Sequence, residues 1–171
     1  AFYYCPALTE ITLPEGLEEI GKYAFLNTGI TELTIPNSCT KFHVSGMDNL
    51  TTLTLPAGLT ELPKGGFEGM RSLVSVTLPA GITDIPQTAF WRCTSLKSLT
   101  IPEGVKTIGE AAFAESGIES IVIPESVEKI DDKTFQGCPN LESIDIKAPI
   151  KSLPNYFALE CPNLKSVSLP E

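Results

Sequence analysis

The chain has 171 residues, of which 42% are hydrophobic and 19% are charged, and its formal net charge is −9. This composition is typical of a folded protein, and the acidic balance argues against nucleic acids and anionic membranes as partners, because those surfaces favour clustered Lys and Arg. Apolar runs are only a few residues long, against the roughly 20 residues that cross a bilayer, so we expect no membrane insertion in this segment.

One apolar pattern recurs along the chain at intervals of 20 to 23 residues. Each unit opens with an apolar residue, places two more at the third and fifth positions after it, and usually continues with Pro. The second and third of these apolar residues are two positions apart, which predicts a short strand with one buried face. The proline ends that strand. The units open at Leu8, Ile30, Leu50, Leu73, Leu96, Ile118, Leu141 and Leu164.

The second half of each unit carries two apolar residues three positions apart and then, except in the second unit, a Phe. The apolar pair predicts a second extended edge. Pro63, Pro86 and Pro154 precede a Phe and fit the first position of a helix, so we expect one helical turn there. A unit this short buries its apolar face only by stacking on its neighbours. The sequence therefore predicts a repeat solenoid, mainly β, with one short parallel strand and short helical turns in each repeat.

The repeats account for the whole chain as a single domain, 1–171. Residues 1–7 match the back half of a unit, seven repeats fill 8–163, and 164–171 begin an eighth. Repeat two, 30–49, is three residues shorter than repeat three and lacks the Phe. Neither end carries a polar capping unit, so we expect a tendency to end-to-end self-association.

Residues 96–113, LKSLTIPEGVKTIGEAAF, and 118–138, IESIVIPESVEKIDDKTFQGC, closely resemble the BspA-like, or treponemal-type, leucine-rich repeats. The resemblance implies a leucine-rich-repeat superhelix. Members are mostly surface or secreted proteins of anaerobic bacteria and some parasitic protists, and several are associated with adhesion. It therefore implies a cell-surface or secreted bacterial protein, with its signal or anchor outside this chain, and a host-matrix or microbial surface protein as partner. It carries over no catalytic residues.

The five cysteines follow the repeat. Four of them share one position, which Met47 and Met70 occupy in other repeats, so the position behaves as a small or adaptable hydrophobe. Cys39 lies on a different core position. We expect all five thiols to be buried and free, and adjacent repeats leave Cys138 and Cys161 as the one pair close enough for a disulfide. The four equivalent cysteines are Cys5, Cys93, Cys138 and Cys161.

Two local patterns suggest chemistry that the surrounding residues do not support. GLEEIGKY, 16–23, is similar to a phosphate-binding loop, but Glu18 and Glu19 would place negative charge where phosphate should lie. His43 is the only histidine, so no multi-histidine metal site can form. We therefore expect no enzyme activity, no metal and no cofactor.

Two surfaces are candidates for recognition. The outward strand positions form rows of Ser and Thr that include Thr54, Thr77 and Thr100, although hydroxyl residues also simply suit a soluble strand. Trp91, with Arg92, occupies a variable and therefore exposed position and is the best single contact candidate, unless its ring merely lies flat on its neighbours.

The sequence leaves two functions open. One is a protein-binding or adhesive ectodomain that recognises its partner through the solenoid surface. The other is a structural spacer arm that presents another domain and has no ligand of its own. A binder should concentrate exposed aromatic rings and Arg on one face of the array, whereas a spacer should be equally polar on all sides.

Overall fold

The computed structural model describes residues 1–170, which form a parallel β-solenoid whose coils are the sequence repeats. The coils stack on one another, and their short strands form two separate columns, to which some coils contribute one strand and others two. The strands are β1 (Glu19–Ile20), β2 (Glu32–Thr34), β3 (Lys41–Phe42), β4 (Thr52–Thr54), β5 (Ser75–Val76), β6 (Asp84–Ile85), β7 (Thr107–Ile108), β8 (Ser120–Ile123), β9 (Lys129–Ile130), β10 (Ser143–Ile146) and β11 (Ser166–Ser168).

The first column, here called the sheet face, comes from the strand that opens each repeat. It consists of two parallel sheets, β2-β4-β5 and β8-β10-β11. The second column comes from the later apolar pair and consists of β1-β3 and β6-β7-β9, also parallel. Equivalent repeat positions pair, as in Leu33 with Leu53 and Ile121 with Ile144. Both predicted edges of the repeat are confirmed.

Alternation decides which strand residues point inward. In β8, Ile121 and Ile123 are buried, whereas Ser120 and Val122 are exposed. Repeat five has no strand on the sheet face among residues 1–170, yet its Leu99 and Ile101 are also buried. The apolar pattern therefore determines which side chains are buried even where no strand is formed.

A column of phenylalanines runs through the core. Phe67, Phe90, Phe113 and Phe135 are completely buried, and neighbouring ring centroids lie 5.1 to 5.5 Å apart in stacked geometry. Phe157 extends the column with an edge-on contact to Phe135. This stacking adds to the burial energy of each ring.

The phenylalanine column is interrupted at repeat two. Val44 lies six residues before Leu50, the spacing at which Phe67 precedes Leu73, and it is buried. On the other side of Val44, Phe25 stacks only on Phe2, at 5.8 Å.

The predicted helical turn before each Phe is wrong, because residues 1–170 contain no helix. The segment instead forms successive tight turns, and Pro86 accepts the first turn hydrogen bond from the Ala89 N–H at 3.2 Å. Thr88 and Arg92 have left-handed backbone angles, with φ of 53° and 59°, which end any right-handed helix within one turn. Equivalent residues have left-handed angles in the other repeats, except that the shortened repeat two has no residue equivalent to Thr88.

The tight turns are joined by a third set of hydrogen bonds, here called the turn ladder. Where the ladder forms, the N–H groups of alternate residues point to the next coil, and the carbonyl group of the same peptide unit points to the preceding coil. The ladder has three rungs at each step from repeat four to repeat seven. Between repeats four and five, Thr88, Phe90 and Arg92 donate to Glu110, Ala112 and Ala114 at 3.0, 2.7 and 3.0 Å.

Within the described residues, no helix has the length and apolar character needed to cross a membrane.

Candidate functional site

A groove runs along the sheet face. It consists of three adjoining cavities of about 450, 500 and 440 Å³, each sharing lining residues with the next. Thr54, Thr77 and Thr100 line it and are exposed, so these candidates lie where the repeat predicted. The walls include Ala80 and Pro102. The groove offers rows of hydroxyl groups and small apolar surfaces, but no aromatic ring among its lining residues.

Trp91 and Arg92 form a compact cluster with Glu115 of the next repeat. The Trp91 indole N–H donates to the Glu115 carboxylate at 3.2 Å, and Arg92 Nε donates to the other oxygen at 2.9 Å. The Arg92 guanidinium also lies 4.1 Å from the centroid of the Trp91 ring. The ring is therefore half-buried and held in place, while Arg92 is exposed.

The cluster is electrostatically balanced. The hydrogen bond from Arg92, assisted by that from Trp91, lowers the pKa of Glu115 below its usual value, against a smaller opposing effect of burial. Glu115 is consequently ionised at neutral pH. The cluster presents a fixed indole and guanidinium at one point of the surface, with less conformational entropy left to lose on binding than two free side chains would have.

Exposed aromatic rings lie on one side of the solenoid. The turn segments around the phenylalanine column form a surface that we call the turn face. Its exposed rings are Tyr3, Tyr4, Tyr23 and Tyr156, whereas Phe2, also exposed, is the outermost described ring of the phenylalanine column. The Trp91 cluster lies on the same face, whereas the described strands of the sheet face carry no aromatic residue. The sequence register already aligns Tyr3 and Tyr4 with Trp91 and Arg92, but sequence reasoning did not single out Tyr23 and Tyr156 as exposed rings of the same face.

The prediction that all five thiols are buried is wrong for two of them. Cys39, Cys93 and Cys138 are buried, but Cys161 is only half-buried and Cys5 is exposed. Cys5 and Cys161 lie in the outermost described coils, where a neighbour covers the thiol from one side only. All five are free thiols in this structure.

The repeated cysteine position has a structural use. The thiols of Cys93, Cys138 and Cys161 each donate to the carbonyl oxygen of the core Phe in the preceding repeat, at 3.0 to 3.1 Å. Burial raises the pKa of Cys93 to about 12. The neighbouring Cys138 thiol lowers the pKa of Cys161 to about 7, because it favours the thiolate there.

The two patterns set aside in the sequence form no site. Glu19 and Ile20 of the GLEEIGKY segment make up strand β1, paired with β3, rather than a loop at the start of a helix. His43 is exposed in the short turn of repeat two. Residues 1–170 contain no group of three side chains suited to a metal ion.

Stacked coils with a parallel strand column, buried Leu or Ile at fixed positions and a core Phe define a leucine-rich-repeat solenoid. The model of the BspA type leucine rich repeat region (6 copies) matches residues 1–97, 43–141 and 83–171, so together these matches span the chain. The chain therefore belongs to the BspA-type leucine-rich-repeat family. No curated protein matches it.

Solved structures of bacterial proteins share this fold. A leucine-rich repeat protein from Bacteroides ovatus is 31% identical with a TM-score of 0.89, over 97% of this chain and 44% of that one. The Treponema pallidum leucine-rich repeat protein is 27% identical with a TM-score of 0.71, over 83% and 64%. A leucine rich cell surface protein from Faecalibacterium prausnitzii, 22% identical with a TM-score of 0.62 over 78% and 44%, resembles this chain in fold alone. The chain spans less than half the length of the Bacteroides ovatus protein.

Proposed function

We propose that this chain is a protein-binding, adhesive segment of a bacterial cell-surface or secreted protein, and that it contacts its partner through the turn face. The partner class is a host-matrix or microbial surface protein. The cell-surface description of the Faecalibacterium prausnitzii protein supports this location. The chain would act as a rigid scaffold and carry out no chemistry of its own.

The observation that carries the proposal is the uneven distribution of aromatic side chains. Tyr3, Tyr4, Tyr23 and Tyr156 are each at least half exposed, and all lie on the turn face. Aromatic residues and Arg dominate the energetics of protein interfaces. The Trp91 cluster adds an indole and a guanidinium that are already ordered, which lowers the entropy cost of binding. A spacer arm gives no reason for this one-sided distribution.

The proposal is tested by measuring binding of the purified chain to immobilised extracellular-matrix proteins and to surface proteins of other bacteria. For a partner that binds, Trp91→Ala should weaken binding by about tenfold, because it removes an ordered aromatic contact. Thr77→Ala on the sheet face is the matched control and should leave binding unchanged.

Thermal unfolding of both variants shows whether each keeps its fold. Loss of binding with Thr77→Ala but not with Trp91→Ala would move recognition to the sheet-face groove. Failure of the wild-type chain to bind any partner of either class would favour the spacer arm.

A further inference from the structure

Repeat two leaves a gap in the turn face. Four residues separate Ile85 from Phe90 in repeat four, whereas His43 alone separates Phe42 from Val44. The turns of repeats one and three therefore face each other with no full turn between them. Because stacked strands are about 4.8 Å apart, the turns of repeats one and three, two coils apart, are separated by roughly 10 Å.

A cavity of about 370 Å³ occupies this gap, and we call it the notch. Its volume is within the usual range for ligand pockets. Repeats one, two and three all contribute to its surface. The notch is lined by Lys22, Tyr23, Leu26, His43, Ser45, Gly46, Lys64, Gly65 and Glu68.

One side of the notch carries backbone donors. The N–H groups of Tyr23 and Phe25 are equivalent to those of Thr88 and Phe90, which donate to the next coil in the turn ladder. The coil that should accept from Tyr23 and Phe25 is the one with the missing turn. Within residues 1–170, neither N–H has a hydrogen-bond acceptor.

The opposite side carries backbone acceptors. The carbonyl groups of Lys64 and Gly66 are equivalent to those of Glu110 and Ala112, which accept from the preceding coil. Within residues 1–170, no group donates to either carbonyl. Tyr23 and Lys64 line the notch, whereas Phe25 and Gly66 are buried beside it. The notch therefore lies between an unpaired backbone donor, Tyr23, and an unpaired backbone acceptor, Lys64.

The side chains of the notch favour one negative charge. Lys22 and Lys64 form no ion pair within residues 1–170, and the Lys22 ammonium lies 5.0 Å from the centroid of the Tyr23 ring. Glu68 contributes one carboxylate, so the two Lys and one Glu side chains of the lining leave one surplus positive charge. A single carboxylate balances it.

We propose that the notch binds a short extended segment of a partner protein that carries one Asp or Glu side chain. A carbonyl group of the segment accepts from the Tyr23 N–H, and one of its N–H groups donates to the carbonyl of Lys64. Its carboxylate lies near the two lysines. An inorganic anion could bond only to the donor side. The inference deepens the proposed function, on which it rests for the nature of the partner, and it concerns contacts that the Trp91 cluster does not make.

The test titrates an acetylated, amidated Gly-Gly-Asp-Gly-Gly peptide into the isotope-labelled full chain and follows its amide signals by NMR. We expect saturable shifts at Tyr23, which would donate to the peptide, and at Gly65, whose amide shares a peptide unit with the Lys64 carbonyl. The double variant Lys22→Gln with Lys64→Gln should weaken binding by roughly fivefold or more, because it removes both ammonium groups. Lys41→Gln, which removes another unpaired lysine outside the notch, should bind as the wild type does.

Two further comparisons separate backbone recognition from simple charge attraction. A peptide methylated on its backbone nitrogens should not bind, because it lacks a donor for the Lys64 carbonyl. Insertion of Gly-Thr-Ala between Phe42 and His43 restores the missing turn and should also abolish binding, with thermal unfolding as the check that the variant is folded.

Equal binding of the methylated peptide, of inorganic phosphate or by the insertion variant would overturn the proposal. Loss of Trp91-dependent partner binding would count against the proposed function and leave peptide binding in the notch unaffected. Absence of peptide binding in the notch, with Trp91-dependent partner binding retained, would reject the notch as a docking site and retain the proposed function.

Discussion

Repeats four to seven and repeats one to three follow the same apolar pattern, but they are joined differently. All seven salt bridges of the described chain lie between residues 92 and 165. In the first three repeats, Lys22, Lys41, Lys64 and Arg71 form none within residues 1–170. The turn ladder has three rungs at each step from repeat four onward. Before that it has two rungs into repeat one, from Phe2 and Tyr4, one rung between repeats three and four, from Gly69 to Trp91, and none across repeat two.

The comparison shows that the apolar pattern is sufficient to stack the coils. Polar links between the coils make a separate, additional contribution to stability. The salt bridges are exposed, so each contributes about 0 to 1 kcal/mol. The phenylalanine column and the turn ladder account for more of the difference. We therefore expect the first three repeats to open more readily than the later ones.

The largest effect should come from the phenylalanine column. Phe113→Ala should destabilise the chain by about 3–5 kcal/mol, because the ring is fully buried between two stacked neighbours. Phe25→Ala should cost less, since Phe25 stacks on one ring only. Urea unfolding of the two variants measures the difference. Equal costs would mean that stacking along the column contributes nothing beyond burial.

A smaller difference should appear in thiol reactivity. In a Cys5→Ser, Cys161→Ser background, which removes the accessible thiols, Cys39 and Cys93 are both buried and burial raises the pKa of each. We expect Cys39 to react about tenfold faster, because local opening of the first repeats exposes it. Faster reaction of Cys93 would reverse the assignment of the weaker region.

The smallest effect should come from the Trp91 cluster. Glu115→Gln should cost less than about 1 kcal/mol at neutral pH, because the ion pair with Arg92 is exposed. The pKa of Glu115 is lowered on folding, so its contribution is present above the pKa of an unfolded glutamate and is lost as the pH falls through the lower folded value.

Urea unfolding at neutral and acidic pH should therefore show a difference between wild type and Glu115→Gln that shrinks on acidification. Thr77→Ala, which removes no ionisable group, is the control and should show no such trend. A difference that grew on acidification would contradict the assigned ion pair.

The solenoid and its core followed directly from the sequence. The repeat placed Ile121 and Ile123 inside and the hydroxyl rows outside, because a strand with one buried face permits only one register. The Phe spacing likewise placed Phe90 and Phe113 in one column. These features depend on apolar side chains, whose pattern the sequence displays directly.

The turns were harder to predict because their backbone conformation depends on neighbouring coils. Thr88 and Ala111 adopt left-handed angles that their side chains do not favour, and the turn ladder holds them there. A signal was present, since Gly65, Gly69 and Gly137 occupy equivalent left-handed positions in other repeats. The notch depends on the ladder and was therefore visible in sequence only as a three-residue deletion.

Amide hydrogen exchange at the turn face tests the central claim that repeat two interrupts the turn ladder. Thr88 and Phe90, which donate to the next coil, should exchange at least about tenfold more slowly than their equivalents Tyr23 and Phe25, which have no acceptor within residues 1–170. Equal protection at the two pairs would mean that the ladder continues across repeat two, and would contradict both the notch and the weaker first region.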